Sequence, residues 1–243
     1  MRRFFIPSGN IDGGRAVIDG SDFHHLARVL RKAVGDTIEA TDGWGNFLRI
    51  KISEIGADHA FGTIVERNPV SERGVSVTLY QAIPRQGIFD NIVEKAVELG
   101  VRRIVPVITE RTTVRFDDER GDKKLGRWRR IAEETIKKVG RADRVEILPV
   151  CGLGGIAEFL HDGSLKMTAW EMEESTTLKA FLSASRGVID VETLIGPEGG
   201  LSEGEIEKLR GFGFSTVSLG KRILRVETAA ISILSGIFYE LDS

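Results

Sequence analysis

The chain has 243 residues, 41% hydrophobic and 29% charged, with 34 Lys and Arg against 36 Asp and Glu for a net charge of −2. Such a chain can bury one large core or two smaller ones, and its balanced charge gives no global sign of a nucleic-acid partner, although local charge still can. One cysteine excludes an intramolecular disulfide and a cysteine-rich metal site. No apolar run approaches the ~20 residues of a membrane span, and proline, serine, glycine and asparagine in MRRFFIPSGN cut off any export signal. The expectation is a cytoplasmic protein that does not enter a membrane.

Residues 1–70 read as a β-rich domain. FHHLARVLRK (23–32) predicts a short helix, and DTIEATDGWGNFLRIKI (36–52) alternates around Asp42-Gly43 as a hairpin does. ERNPVSERG (66–74) is polar, carries Pro69 and Gly74, has no periodicity, and reads as a linker. From 75 the rhythm changes. VSVTLYQAI is a strand. IFDNIVEKAVELG is a helix with Ile88, Ile92, Ala96 and Leu99 on one face and Gly100 as its stop. VRRIVPVI is the next strand. Helices are then expected within 118–139 and at 155–161, 176–184, 203–210 and 226–241, alternating with strands at 145–150, 165–170, 188–195 and 214–219. Such alternation predicts an α/β domain over 75–243, with a parallel sheet covered on both faces.

Two of these strands end in glycine, in TLIG and VSLG. Ligands in open α/β sheets bind outside the carboxyl ends of strands, and glycine lets a ligand approach the backbone. Ser202 and Glu205 have capping-box spacing, so a helix begins at 203. The second loop, GKRILRVETAA, holds Arg222, Arg225 and Glu227. Each loop alone is equally a tight turn feeding a helix; two together predict a pocket lined by Leu194, Ile195, Leu219, Ile223 and Leu224.

GLGGIA (152–157) competes, because it fits G-x-G-x-x-A with Glu171 near the spacing of a ribose-binding acid, as in a dinucleotide site. Between Arg120 and Arg144, ten Lys or Arg face four acids around Trp128. That excess suits RNA phosphates and a stacked base, or else a solvated helix face. Arg2, Arg3, His24, His25, Arg28, Arg31 and Lys32 add basic character to the first domain. The adjacent histidines point different ways on a helix with no third ligand near, so no metal is expected.

LIGPEGGLSEGEIE followed by LGKRILRVETAAISIL resembles the ribosomal small subunit RNA uridine N3-methyltransferases, the RsmE family of the SPOUT superfamily. FHHLARVLRKAVGD and VEKAVELGV fit the same family in the same order, so the resemblance covers essentially the whole chain. It implies a small PUA-like β-barrel that binds RNA, then a SPOUT α/β domain with a C-terminal trefoil knot. It also implies S-adenosylmethionine as methyl donor, 16S ribosomal RNA or the small subunit as substrate, and a homodimer with its sites at the interface. The pocket residues it implies are Leu194, Ile195, Gly196, Gly199, Gly200, Leu219, Gly220, Ile223 and Leu224, with Arg2, Arg3, His25, Arg28, Arg31, Arg85 and Arg141 toward RNA. The chain departs from the family at Arg85, usually lysine, and at Lys138-Val139, usually glutamine and serine.

N3 of uridine carries a proton and is a poor nucleophile until it leaves, so a base or a cation that stabilises the imide anion is needed. Glu198 and Glu227 are the base candidates and Arg225 the cation; Glu198 can equally bond loop amides. Methylation at C5 would want a cysteine nucleophile, and Cys151 lies in the other glycine loop. The final helix, VETAAISILSGIFYEL, is apolar around much of its circumference, which predicts burial on several sides, with Ile233 and Ile237 at a dimer contact. The rivals are a dinucleotide-dependent enzyme using 152–157 and a non-catalytic RNA-binding protein.

Overall fold

The computed structural model describes residues 3–69, 74–85, 87–113 and 118–242, the side chains of 118–120 excepted. Arg2 lies outside the described residues. Two compact units divide the chain: Met1–Glu72 with Glu133–Arg144, and Arg73–Ala132 with Val145–Ser243.

The first unit contains β1 (Phe4–Phe5), a 3-10 turn (Ser8–Asn10), β2 (Ile11–Asp12), β3 (Arg15–Ile18), α1 (Gly20–His24), a π-helical turn (His25–Val29), β4 (Thr37–Thr41), β5 (Asn46–Ile55) and β6 (Ala60–Pro69). Its sheet has six strands in the order β1-β4-β5-β6-β3-β2, antiparallel except where β1 meets β4. Strand β5 shows why it forms: Leu48, Ile50 and Ile52 are buried while Arg49, Lys51 and Ser53 are exposed, the period-two pattern of a half-buried strand. These residues pack with Phe4, Ile18 and Leu26.

Two expectations change here. The helix expected over 23–32 is a short α turn followed by a π turn, in which the Leu30 amide reaches back to the His25 carbonyl at 2.9 Å. Residues 66–69, read as linker, are the end of β6, paired with Asn46–Arg49 of β5. Their polarity reflects an exposed ladder end, where Arg49 and Glu66 pair at 2.9 Å across the strands; residues 70–73 lie outside the described set.

Asp42 fixes the hairpin tip. Its buried carboxylate accepts the Trp44 amide at 2.8 Å, the Asn46 amide at 3.1 Å, Asn46 Nδ2 at 2.6 Å and Arg67 Nη2 at 2.7 Å. Burial alone would raise this carboxyl. The bonds from Trp44, Arg67 and Asn46 outweigh it and hold the group below the usual carboxylate range. Residues 133–144 join the same unit: Lys137 pairs with Asp22 at 2.9 Å, Arg3 donates to the Gly140 carbonyl at 3.0 Å, and the Arg144 amide donates to the Gly43 carbonyl at 3.0 Å.

The second unit holds β7 (Ser76–Ala82), α2 (Ile88–Leu99), β8 (Arg103–Ile108), α3 (Asp118–Val139, whose last turns belong to the first unit), β9 (Glu146–Ile147) and β10 (Cys151–Gly152). After a 3-10 helix (Leu153–Phe159) come β11 (Leu165–Ala169), α4 (Leu178–Ser183), β12 (Asp190–Ile195), α5 (Glu203–Gly211), β13 (Ser215–Val217) and α6 (Val226–Leu241). The seven-stranded sheet runs β10-β8-β7-β12-β11-β13, with β9 also on β8, and every pairing is parallel. The central strands are buried along almost their whole length, as a sheet covered on both faces requires. The α/β expectation matches this sheet. The strand expected at 145–150 is shorter, and the helix expected at 155–161 is 3-10.

Helix α6 buries Val226, Ala230, Ile233, Leu234 and Ile237, one stripe at helical spacing. It packs against α2, α4 and β12. Ile233 and Ile237 are therefore core residues of this chain and do not face a partner, contrary to the sequence expectation; the large apolar residue α6 leaves exposed is Tyr239.

Asp42→Asn replaces one acceptor oxygen by an NH2 donor that faces the donors it had satisfied. We expect a loss of about 1–3 kcal/mol in urea denaturation at neutral pH. The sign follows from the lowered folded value. The carboxylate's contribution is present above the unfolded carboxyl range and is lost as pH falls through the lowered native pKa, so the gap between wild type and variant should shrink toward acid pH.

Candidate active site at the carboxyl edge of the parallel sheet

The loops that follow β7, β8, β11, β12 and β13 leave the carboxyl edge of the parallel sheet; hydrogen bonds tie the β7, β8 and β12 loops together and, separately, the β11 loop to the β13 loop. The β12 loop is the hub. The Gly200 amide closes a turn on the Pro197 carbonyl at 2.9 Å. Gly200 has φ +71, and a Cβ there would collide with the Glu171 carboxylate from the β11 loop. The left-handed backbone is what favours glycine here, since the Glu171 carboxylate is the end of a flexible side chain that could move aside. Ser202 caps α5, and Glu205 returns the bond to the Ser202 amide at 3.0 Å, completing a capping box. The buried Glu205 carboxylate also accepts the Glu110 amide of the β8 loop at 2.9 Å. Arg111 of that loop donates to the Gly199 carbonyl at 2.5 Å.

Glu198 is exposed, and its Oε1 accepts the Arg85 amide of the β7 loop at 2.8 Å. It therefore joins two loops. Beneath them, buried Gln81 at the end of β7 donates to the carbonyls of Ala82 at 2.9 Å and Ile195 at 3.4 Å. Gln81 Oε1 and Thr193 Oγ1 have no partner among the described residues.

The β13 loop is tied to the β11 loop. The Ser218 amide donates to the Thr176 carbonyl at 2.8 Å, and the Leu178 amide to the Ser218 carbonyl at 3.0 Å. Glu173 anchors that junction: its Oε1 accepts Ser175 Oγ at 2.5 Å, the Ser175 amide at 2.9 Å and the Thr176 amide at 3.0 Å, while Oε2 accepts Thr216 Oγ1 at 2.5 Å. These bonds, the Ser175 hydroxyl foremost and Thr216 next, lower its carboxyl to about 2. Beyond Ser218, Gly220 has φ +108, Leu219 and Leu224 are half-buried, and Ile223 is 90% exposed. Arg225 is the exposed N-cap residue of α6, and Glu227 is half-buried in its first turn.

The sequence-derived residues thus separate. Gly196, Gly199, Gly200 and Glu198 share one loop; Leu219, Gly220, Ile223, Leu224, Arg225 and Glu227 lie on the other. Leu194 and Ile195 are buried strand residues, and Leu194 packs in the core. Glu171, Glu173, Arg111 and Gln81 were missed. Each acts by a pairing across the sheet edge that no local motif marks; only Glu171 had been noticed, for another role.

The dinucleotide reading loses its geometry. Residues 153–159 form a 3-10 helix with Leu153 and Ile156 in the core, so the glycines do not open the α-helix that a pyrophosphate needs. Burial, helped by Glu158, pushes the Cys151 thiol up to about 11, which suits no nucleophile at neutral pH. Trp128 offers no face to a base: it is buried, stacks on Phe89 with ring centres 4.1 Å apart, and donates to Asp90 at 3.1 Å. In the first unit Arg28 and Arg31 are exposed, and Arg31 holds φ +51. Half-buried His25 lies 5.8 Å from the Phe4 ring, and Arg3 lies over Phe47 at 4.3 Å. Arg141 pairs with Asp143 through Nε at 3.1 Å and Nη2 at 2.5 Å. Among the described residues no cluster of His, Cys, Asp or Glu could hold a metal, and no helix is long and apolar enough to cross a membrane.

The donor set suits S-adenosylmethionine. The turn through Gly196, Gly199 and Gly200 is packed against Leu201, Arg111 and Glu171, half-buried Leu219 and Leu224 offer apolar surface to an adenine, and the carboxylates of Glu171 and Glu198 are complementary to a cationic sulfonium and ammonium.

The RNA methyltransferase domain matches residues 71–237, and the RNA methyltransferase PUA domain matches residues 18–65. The Ribosomal RNA small subunit methyltransferase E of Synechocystis sp. is 32% identical, with 99% of this chain and 78% of that protein covered. The protein of the same name from Bacillus subtilis is 28% identical, over 93% of this chain and 90% of its own length. A crystal structure of a Ribosomal RNA small subunit methyltransferase E from Neisseria gonorrhoeae, bound to S-adenosyl methionine, aligns with a TM-score of 0.84 at 28% identity, over 99% of this chain and 98% of that one.

Glu173→Gln should loosen the β11 loop. Hydrogen exchange at the Ser175 and Thr176 amides should speed up while the sheet stays protected. The carboxylate's contribution is present above the unfolded value of 4.5 and is lost as pH falls through about 2, so wild-type protection should persist down to the unfolded range and weaken only below it.

Proposed function

We propose a function on one premise: this chain belongs to the RNA methyltransferase domain family. It is an S-adenosylmethionine-dependent RNA methyltransferase with an N-terminal PUA-like domain. Its substrate is the small-subunit (16S) ribosomal RNA, alone or in the small ribosomal subunit, and the atom methylated is N3 of a specific uridine. The observation that carries this reading is the set of tied loops at the carboxyl edge, with glycine in the turns after β12 and β13 and cationic Arg225 at the start of α6. The enzyme works in the cytoplasm as a homodimer, residues 1–70 form the RNA-binding domain, residues 75–243 form the catalytic domain, and the C-terminal segment closes the trefoil knot of SPOUT proteins.

When bound, S-adenosylmethionine supplies a methyl group on a sulfonium for in-line displacement. The main chain at Gly196, Gly199, Gly200 and Gly220 and the apolar residues Ile195, Leu219, Ile223 and Leu224 would hold the donor, with Leu194 supporting them from the core. The uracil N3 proton passes to a carboxylate, Glu227 or Glu198, and Arg225 stabilises the charge left on the ring. Glu227 is the better placed acceptor, since Glu198 Oε1 is already bonded to the Arg85 amide. Arg2, Arg3, His25, Arg28, Arg31 and Arg85 contact phosphates. Arg141 contributes through its pair with Asp143, which orders the turn after α3.

The deciding experiment maps methylated nucleotides in ribosomal RNA from cells with and without the protein; an unchanged map rejects the reading. Gly196→Val places side-chain atoms against Leu201, whose Cγ would lie 3.1 Å from the new Cβ. Calorimetry should show at least about tenfold weaker donor binding, or 1.4 kcal/mol. Arg225→Ala should lower kcat about 10²-fold while donor affinity and sedimentation stay as in wild type; normal turnover would remove Arg225 from the chemistry.

A further inference from the structure

Of the three tryptophans, Trp128 is buried, Trp170 is half-buried and Trp44 is 70% exposed. A single exposed indole means little by itself. Trp44 differs because its main chain is held from both sides. On one side, the Asp42 carboxylate takes the Trp44 and Asn46 amides. On the other, the Gly45 amide donates to the Ala142 carbonyl at 3.2 Å, the Arg144 amide to the Gly43 carbonyl at 3.0 Å, and Gly43 and Trp44 bridge Asp143. Gly43, at φ +74, lies so close to Phe5 that a Cβ would sit 2.9 Å from its ring, which sets the tip against half-buried Phe5 of β1. A large aromatic face is thus presented to solvent from a fixed backbone.

Its surroundings carry both signs, with Asp42 paired to Arg67 and Asp143 paired to Arg141, and Arg144 adds a further cation. Arg67 shares the Asp42 carboxylate with the Trp44 amide and keeps 54% of its side chain exposed, and exposed Arg144 follows the residue that bridges Trp44. A rigid aromatic flanked by arginines is the pattern that holds an unpaired base, the ring stacking on the indole and the phosphates meeting the guanidinium groups. Every base has a π-face, so such a platform tolerates sequence and discriminates single strand from duplex.

We propose that Trp44 is a base-stacking platform for a single-stranded nucleotide of the substrate RNA, with Arg67 and Arg144 as its phosphate contacts. This rests on the reading of the protein as an RNA methyltransferase, and it assigns a recognition role to the hairpin tip of the first unit.

The test uses the full-length protein with a short single-stranded RNA and the same sequence as a duplex. Binding of the single strand should quench the exposed-tryptophan fluorescence, and the duplex should quench it far less. Trp44→Ala should abolish the quench and weaken single-strand affinity roughly tenfold, and Trp44→Phe should recover most of that affinity. With ribosomal RNA as substrate, Trp44→Ala should raise KM for RNA and leave donor affinity unchanged. Wild-type RNA affinity in Trp44→Ala overturns the platform. So does a shift from dimer to monomer in sedimentation, because the indole would then be a contact between copies of the chain. If wild-type enzyme binds and quenches but methylates no ribosomal RNA, the catalytic reading falls while the platform stands on affinity and quench alone.

Discussion

Glu205 is a carboxylate removed almost entirely from water, and a buried charge of that kind is tolerated only when its oxygens are fully occupied. One oxygen takes the Ser202 amide and the other the Glu110 amide, so a single side chain caps a helix and joins two loops. The rest of the carboxyl edge depends on this. Once α5 starts at a fixed place, the turn from Pro197 to Gly200 has one length to span. Gly200 is then driven into the left-handed region, and the Gly199 carbonyl is turned toward Arg111. Glu198 and Glu173 repeat the device, each placing carboxylate oxygens on amides of a neighbouring strand's loop or its own. The edge is ordered by acids bonded to backbone donors and by Leu201, which packs in the core beneath it, so its main-chain groups keep fixed directions.

Much of this fold could be read from the chain. The αβ alternation after residue 75, the stop at Gly100, the capping box of Ser202 and Glu205, and helix α6 from 226 are all local patterns, and the structure places them close to where the residues say. The misreadings share a cause. Residues 66–69 looked like linker because a ladder exposed on both faces has no hydrophobic alternation. The helix over 23–32 broke because Phe23 and Leu26 are taken into the first unit's core while Arg31 turns left-handed. Ile233 and Ile237 looked available for a partner because periodicity gives the width of an apolar face and not what covers it; α2 and α4 cover it here.

The site divides in the same way. Glycines, the capping box and the arginine-rich loop carry a sequence signature, since their roles are backbone roles set by neighbours in the chain. Glu171 against Gly200, Arg111 on Gly199 and Gln81 on Ile195 join residues separated by tens of positions, and nothing in their local sequence distinguishes them from surface acids, cations or strand polars. Trp44 and Trp128 show the point sharply. Trp128 sits in the most basic stretch and looked like the base-stacking aromatic, yet it is buried on Phe89, while Trp44 sat unremarked in a turn.

Helix α6 would tie the proposed chemistry to stability. Its first residue after the cap, Val226, belongs to the buried stripe, and Gly236 lets α4 approach so closely that a Cβ there would meet Leu178 at 2.9 Å. The helix therefore cannot slide along its axis without opening the core. Arg225 and Glu227 bracket Val226, so their backbone is as fixed as the core residue between them, although their side chains reach toward solvent. Preorganised charge lowers a barrier only if it need not reorganise during the reaction. A helix held along its whole apolar stripe meets that condition at its first turn, and Lys221, Arg222 and Ile223 of the loop before it are exposed.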